Sequence, residues 1–367
     1  MQEPSMIEPI RTGVIGLGWA GEQHLQSYLQ IPGVQVLALA GLEQERGQQL
    51  LSTYNVPDLY AGYEELLRRD DIDAVSICVP NYLHAPIGLA ALRAGKHVLC
   101  EKPLALNGQE AKAMVDAAEQ AGRVLQVAFN RRRRGDATVL KRHIDEGGLG
   151  RIYYAKAYWM RRSGIPGLGS WFTSKQLAGG GPLIDLGVHV LELAMWLLGE
   201  PAVRSVSAAT YAELGPRGRG GSPGAGKSGT GNTYEVEDLA TAFIRFEGGV
   251  TLLLEASWAT YSSAGDDFGV TLYGTEGGAE IDVKNYGWQN TLRIFGDVGG
   301  IPADTTPRVQ RGEEHLGVVR DFITTIRTGE DPLRSGLEGL RRARIIDACY
   351  ASAIEGREME VPEDARG

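Results

Sequence analysis

The chain has 367 residues, 43% hydrophobic and 23% charged, the make-up of an ordinary folded protein long enough for two cores. Its net charge of −9 argues against nucleic acid as the main ligand. Three cysteines, Cys78, Cys100 and Cys349, stand far apart, which argues against a disulfide framework or a zinc site and suits a reducing compartment.

The first eleven residues are polar and carry Glu3, Glu8 and two prolines, so no signal peptide is expected there. The longest apolar run, residues 188–198, holds His189 and Glu192 and is too short to span a bilayer. A cytoplasmic protein with no membrane partner is the expectation.

Gly13-Val14-Ile15 reads as a short buried strand that runs into Gly16-Leu17-Gly18-Trp19-Ala20-Gly21, a G-x-G-x-x-G. Helical spacing follows through Ala20, Leu25, Tyr28 and Leu29. In that setting the first Gly makes a tight turn and the second lets backbone approach a pyrophosphate. The third packs helix against strand, and the helix N-terminus faces the phosphates. Residues 34–40 form a second buried strand and complete a βαβ unit. The acidic residue expected after it to bind the adenosine ribose is displaced. Gly41 takes the slot, and Glu43 follows two positions on. Glu43 either reaches the ribose or begins the next helix. Arg46 is a turn away from any 2′-phosphate, so NAD is favoured, with NADP possible.

The alternation continues with strands over residues 73–79, 97–101 and 124–129 and helices over 86–94 and 110–121. Their carboxyl ends place Gly16, Pro80-Asn81, Lys102 and Asn130 on one edge, where an open α/β sheet binds ligands. The fourth strand ends in Cys100-Glu101-Lys102-Pro103. A partly desolvated Lys there can hydrogen-bond a reacting oxygen. Asn81 and His84 are either loop and cap residues or contacts to a nicotinamide.

Asn130 begins an arginine run, Arg131 to Arg134. Most of the run reads as a solvated face at a helix start, with Asn130 and Arg131 expected to reach substrate. A helix over 136–146 and a strand over 151–160 follow. Gly179-Gly180-Gly181-Pro182 then opens an almost wholly apolar helix, which is expected to be buried. Its polar residues, Asp185, His189 and Glu192, lie in one stripe. Asp185 and His189 are four apart, so the carboxylate can orient the imidazole as a general base. No third ligand sits at useful spacing, so no metal is expected.

Residues 216–233 read as a flexible Gly-rich loop. Its Gly224-Ala225-Gly226-Lys227-Ser228 lacks the strand and helix that a phosphate loop needs. Strands over 239–246, 250–259, 268–274 and 279–283, joined by short turns, suggest antiparallel hairpins in a broad sheet. Trp258, Leu252 and Leu254 on that sheet need cover, which suggests oligomerisation through it. Helices over 313–328 and 337–354 close the chain.

With these residues in hand, the chain resembles the Gfo/Idh/MocA family of glucose–fructose oxidoreductase and inositol dehydrogenase relatives over nearly its whole length. The resemblance rests on Gly16 to Gly21, Pro80-Asn81 with His84, Glu101-Lys102-Pro103, and Gly179 to Gly181 with Asp185 and His189. Glu237-Asp238, His315 and Asp321-Phe322 complete it. It implies an α/β chain: an N-terminal Rossmann doubly wound parallel sheet (1–129), then a C-terminal α+β domain (130–367) with a large, mostly antiparallel open sheet. It also implies hydride transfer between NAD(P) and a carbinol carbon of a sugar, inositol or derivative, in a homodimer or homotetramer. Lys102 would polarise the reacting oxygen, His189 would be the base or acid, and Asp185 would hold substrate. The expected cofactor set is Gly16, Gly18, Trp19, Ala20, Gly21, Glu43, Pro80, Asn81, His84, Glu101 and Lys102. Substrate would meet Asn130, Arg131, Asp185, His189 and Trp171, the last in a loop where relatives vary. The alternative within the same fold is a tightly held, self-recycling NAD serving glycoside cleavage, elimination or epimerisation.

Overall fold

Residues 8–221, 234–332 and 334–361 are described by the computed structural model, so Gly224 to Ser228 and most of the Gly-rich loop lie outside the described residues. Near the N-terminus, strands β1 (Ile10–Ile15), β2 (Val34–Ala40) and β3 (Asp58–Tyr60) alternate with helices α1 (Trp19–Leu29), α2 (Gln44–Tyr54) and α3 (Tyr63–Leu67). Then come β4 (Ala74–Ile77), α4 (His84–Arg93), β5 (His97–Cys100), α5 (Gly108–Ala121) and β6 (Leu125–Val127). The strands pair in the order β3-β2-β1-β4-β5-β6, all parallel, the doubly wound order of dinucleotide-binding sheets. Ala-Val-Ser-Ile and His-Val-Leu-Cys in β4 and β5 are short and mostly apolar because helices cover both faces. The order reverses at β1 and β4, so a ligand crevice opens beyond their carboxyl ends.

After Asn130 come α6 (Gly135–Asp145), β7 (Ile152–Arg161), the short α7 (Lys175–Ala178), a π-helical turn at Leu183–Gly187 and α8 (Val188–Leu197). Strands β8 (Val203–Tyr211), β9 (Leu239–Phe246), β10 (Thr251–Ser257), β11 (Asp266–Gly274), β12 (Gly278–Lys284), β13 (Leu292–Val298) and β14 (Ile301–Thr305) follow. Helices α9 (Glu314–Thr328) and α10 (Arg334–Glu355) and the short β15 (Met359–Glu360) end the described chain. The second sheet has nine strands in the order β14-β13-β12-β11-β7-β10-β9-β8-β15. It is antiparallel except where β10 runs parallel to β7.

The structural units are not two consecutive blocks. One is Met1–Asn130 with Glu313–Leu340, and the other is Arg131–Gly312 with Arg341–Gly367. Val318, Val319, Phe322 and Ile323 of α9 return to the first core, where they pack with Leu25 and Tyr28 of α1. Burial of each such side chain contributes about 1.5–3 kcal/mol, which is reason enough for the chain to come back.

In the second unit α8 is apolar nearly all round and buried. The helical run Lys175–Leu197 is long and apolar enough to cross a membrane, but 83% of its most apolar stretch is buried in this fold. Leu252, Leu254 and Trp258, expected to need an outside partner, are fully buried on the helix side of the sheet. The opposite face instead carries Tyr154, Lys156, Tyr158, Phe243, Leu253 and Tyr273, at most partly buried, with Tyr154 stacked on Tyr273 at 5.3 Å.

Candidate active site

In the first unit each glycine of the G-x-G-x-x-G has its own reason. Gly16 has φ +104°, and a β-carbon on it would lie 2.1 Å from the Cys78 carbonyl oxygen. One on Gly21 would stand 1.9 Å from the Gly16 carbonyl oxygen, so only Gly lets α1 pack this closely. Gly18 has no atom within 4 Å of its β-position, and as N-cap of α1 it offers no side-chain cap. Bare N–H groups facing open space fit a pyrophosphate. Trp19 and Ala20 begin that helix, with Trp19 69% exposed.

At the end of β2, a β-carbon on Gly41 would lie 2.6 Å from Leu17 Cγ and 3.4 Å from Glu43 Oε2. The missing acid in that slot therefore leaves room for Leu17, and Glu43 sits beside the strand end as N-cap of α2. Arg46 is held by Glu22, which also accepts from the Tyr54 hydroxyl at 2.8 Å.

Pro80 and Asn81 form the next strand end, with Asn81 opening a 3-10 turn. His84 is fully buried, with Nδ1 2.6 Å from the Pro103 carbonyl and Nε2 2.8 Å from the Val79 carbonyl. Burial lowers its pKa, opposed by these two carbonyls. Both ring nitrogens face carbonyls of the loops around Lys102, and the neutral ring donates its one N–H to one of them, so its polar atoms are turned to the loops.

Glu101 anchors a cluster that sequence spacing does not disclose. Its Oε1 lies 3.1 Å from His24 Nε2 and 3.7 Å from His315 Nε2. His24 Nδ1 meets Ser76 Oγ at 2.9 Å, and Ser76 Oγ meets the Tyr28 hydroxyl at 2.8 Å. Asn130 Nδ2 approaches His315 Nε2 at 3.2 Å, and Trp19 stands edge-on to the His315 ring. Burial opposes ionisation of Glu101, but the His24 hydrogen bond and the nearby His24, His315 and Lys102 outweigh it and hold the carboxyl down at about 2. The ligand atoms of His24, Glu101 and His315 lie within 4.8 Å of one another, close enough to share a cation. The hydrogen bonds already give them a role as a buried polar brace under Glu101-Lys102. Lys102 itself is half-buried at the end of β5.

In the second unit two of the three glycines make room for Tyr350 and Glu237. β-Carbons on Gly180 and Gly181 would fall 1.9 Å from the Tyr350 hydroxyl and 2.1 Å from the Glu237 carbonyl oxygen. Glu237, buried, accepts from the Gly181 N–H (2.9 Å), the Leu183 N–H (3.0 Å) and the Tyr350 hydroxyl (2.9 Å). It thereby fixes the start of the helical segment that bears Asp185 and His189. Asp185 Oδ2 accepts from Trp258 Nε1 at 2.9 Å, and the His189 ring lies 5.4 Å from that of Trp159. Glu192, the third residue of the stripe, belongs elsewhere, paired with Arg132.

The expectation of a solvated arginine face fails. Arg134 is 1% exposed and paired with buried Asp136 at 2.8 Å. Arg131 is also buried, its guanidinium 4.9 Å from the ring centres of both Trp159 and Phe268. Asp136 two positions on takes up the charge of Arg134, and Glu192 and the aromatic rings, far away in sequence, take up the charge of Arg132 and Arg131, which a solvated-face reading cannot see. Trp171 stacks on Phe172 at 3.8 Å, and Phe172 lies edge-on to Trp258. Arg161 is also placed here, with Asp266 and Tyr286; nothing in the local pattern marked it.

Comparison with known proteins accords with this geometry. Residues 10–129 match the oxidoreductase family with an NAD-binding Rossmann fold, and residues 137–280 match the GFO/IDH/MocA C-terminal domain. The D-glucoside 3-dehydrogenase of Escherichia coli K12 is 32% identical over 371 residues, covering 98% of this chain and all of that protein. This chain belongs to the Gfo/Idh/MocA family. The levoglucosan dehydrogenase of Pseudarthrobacter phenanthrenivorans is another member, 30% identical over 97% of this chain and 99% of its own length. A solved levoglucosan dehydrogenase in complex with NADH superposes with TM-score 0.84 at 26% identity, over 97% of this chain and all of that one. The chain is thus an NAD-binding oxidoreductase of the Gfo/Idh/MocA family, whose named relatives include sugar dehydrogenases and reductases.

Proposed function

We propose that this enzyme oxidises a secondary alcohol of a sugar glycoside or anhydrosugar to the ketone, with Lys102 and His189 as its acid–base pair. The observation that carries the reading is the helix start anchored by Glu237, which presents Asp185 and His189 beside Trp258 and Trp159. A pyranose has apolar C–H faces and a rim of hydroxyls, and indole rings interleaved with a carboxylate and an imidazole suit both. The full-length likeness to a D-glucoside 3-dehydrogenase and a levoglucosan dehydrogenase favours such a substrate over an inositol.

NAD, when bound, supplies the hydride acceptor. The glycine loop and α1 would hold its pyrophosphate and Glu43 its adenosine ribose, with Pro80, Asn81 and Glu101 at the neighbouring strand ends. With Arg46 already held by Glu22, NAD is preferred to NADP. His189 takes the proton from the substrate hydroxyl as its carbon is oxidised. The Lys102 ammonium donates to the same oxygen and stabilises the charge developing there. Asp185, its carboxylate oriented by Trp258, accepts from a neighbouring hydroxyl and keeps the imidazole in place. The exposed sheet face bearing Tyr154, Phe243, Leu253 and Tyr273 is proposed as the contact that makes a homodimer or homotetramer.

The test is the absorbance of reduced nicotinamide on mixing the enzyme with glucosides, levoglucosan and inositols, with NAD and NADP supplied separately. Lys102→Met should leave NADH binding intact and lower turnover about 10²- to 10⁴-fold; full activity in that variant refutes the assignment. Protein that carries bound NAD through purification, converts a glycoside and yields no net NADH would instead establish the redox-neutral alternative.

A further inference from the structure

Arg161 ends β7 and faces Asp266, its register partner at the start of β11. Side chains two apart on a strand share a face. Arg161 therefore lies on the side of Trp159, the ring packed against His189, and Asp266 on the side of Phe268. Asp266 is fixed twice, accepting from Trp159 Nε1 at 2.7 Å and from Arg161 Nε at 2.9 Å. Arg161 Nη2 donates to the Tyr286 hydroxyl at 3.2 Å. Among the described residues Nη1 has no hydrogen-bond partner. Burial alone would lower the Arg161 pKa, but Asp266, Tyr286 and, more weakly, Asp185 hold it up, so its charge lies within the field of Asp185. Arg131, the neighbouring cation, is turned to the faces of Trp159 and Phe268. Gly164 lies behind the stem of Arg161, where a β-carbon would come 2.8 Å from Cδ. A cation held at two points, with one arm of a rigid fork unspent, is a preorganised donor.

We propose that Arg161, positioned by Asp266 and Tyr286, selects the substrate by donating from its guanidinium to an oxygen of a neutral pyranoside, while Asp266 turns away uronic acids. This deepens the sugar-dehydrogenase reading and rests on it. The Asp266 carboxylate already satisfies the guanidinium, so an anionic substituent would have to displace a fixed ion pair. A hydroxyl or ring oxygen needs only the spare donor.

The experiment measures binding of methyl glucopyranoside, levoglucosan and methyl glucuronide to the NADH-loaded protein by calorimetry, alongside kcat and KM with NAD. Arg161→Gln should weaken binding of the neutral sugars about 10- to 100-fold, the loss of a hydrogen bond to a charged donor, with NADH affinity unchanged. Arg161→Lys should restore part of it, which a merely structural defect would not allow. Gly164→Ala, which displaces the stem without removing the charge, should raise sugar KM. Asp266→Asn should shift the kcat/KM ratio of glucuronide to glucoside upward about tenfold or more. Unchanged sugar affinity in Arg161→Gln, or an unmoved ratio in Asp266→Asn, overturns the inference while leaving the dehydrogenase reading intact. A wild-type protein that binds the sugars but never reduces NAD overturns the dehydrogenase reading alone, and one that binds none of them overturns both.

Discussion

Replacing Glu237 with Ala should destabilise the second unit and disable catalysis together. The carboxylate is 7% exposed and satisfies two backbone N–H groups and one hydroxyl. Removing it leaves three buried donors, each costing about 1–3 kcal/mol, so a total of about 3–6 kcal/mol is expected once water enters the hole. Tyr350→Phe deletes one of the three hydrogen bonds and keeps the ring, so about 1.5–3 kcal/mol is expected. Glu237→Gln falls between, because its amide offers an acceptor to one side and a misplaced donor to the other. Urea unfolding followed by circular dichroism and tryptophan fluorescence measures these, with two probes because a two-unit chain need not unfold in one step. Turnover should fall in the same order, since Gly181 and Leu183 begin the segment that bears Asp185 and His189. A Glu237→Ala protein as stable as wild type, or less affected than Tyr350→Phe, would refute the anchoring role.

Gly18→Ala should fold normally, because nothing lies within 4 Å of the new methyl, yet weaken NADH binding in a fluorescence titration by crowding the phosphate approach. Gly21→Ala should instead destabilise the first unit by about 1–3 kcal/mol or more, since the methyl would meet the Gly16 carbonyl oxygen at 1.9 Å; equal thermal midpoints for the two would contradict this. On the acid side, the Glu101 carboxyl is depressed from 4.5 to about 2. A depressed carboxylate contributes stability that is present above the unfolded value near 4.5 and lost as pH falls toward 2, an effect of about 3 kcal/mol. Glu101→Gln should therefore flatten the acid limb of the stability–pH curve. An unchanged limb would mean that His24 and His315 do not hold the charge.

The local pattern settles a good deal. The glycine loop, the alternation of strands and helices and the buried helix after Gly181 are all legible along the chain, because each depends on neighbours a few residues apart. Parallel pairing then gathers the strand ends on one edge beside Lys102, so that edge is legible as well. Folding alone decides what surrounds these residues. The contacts of Asp185 with Trp258, Glu237 with Tyr350 and His24 with Glu101 join residues 73, 113 and 77 positions apart. Burial of Arg131 and Arg134, the return of α9 to the first core and the pairing of Arg161 with Asp266 are of the same kind. No periodicity encodes such meetings. A charged side chain reads as solvated until the fold brings it a carboxylate or an aromatic face that replaces water.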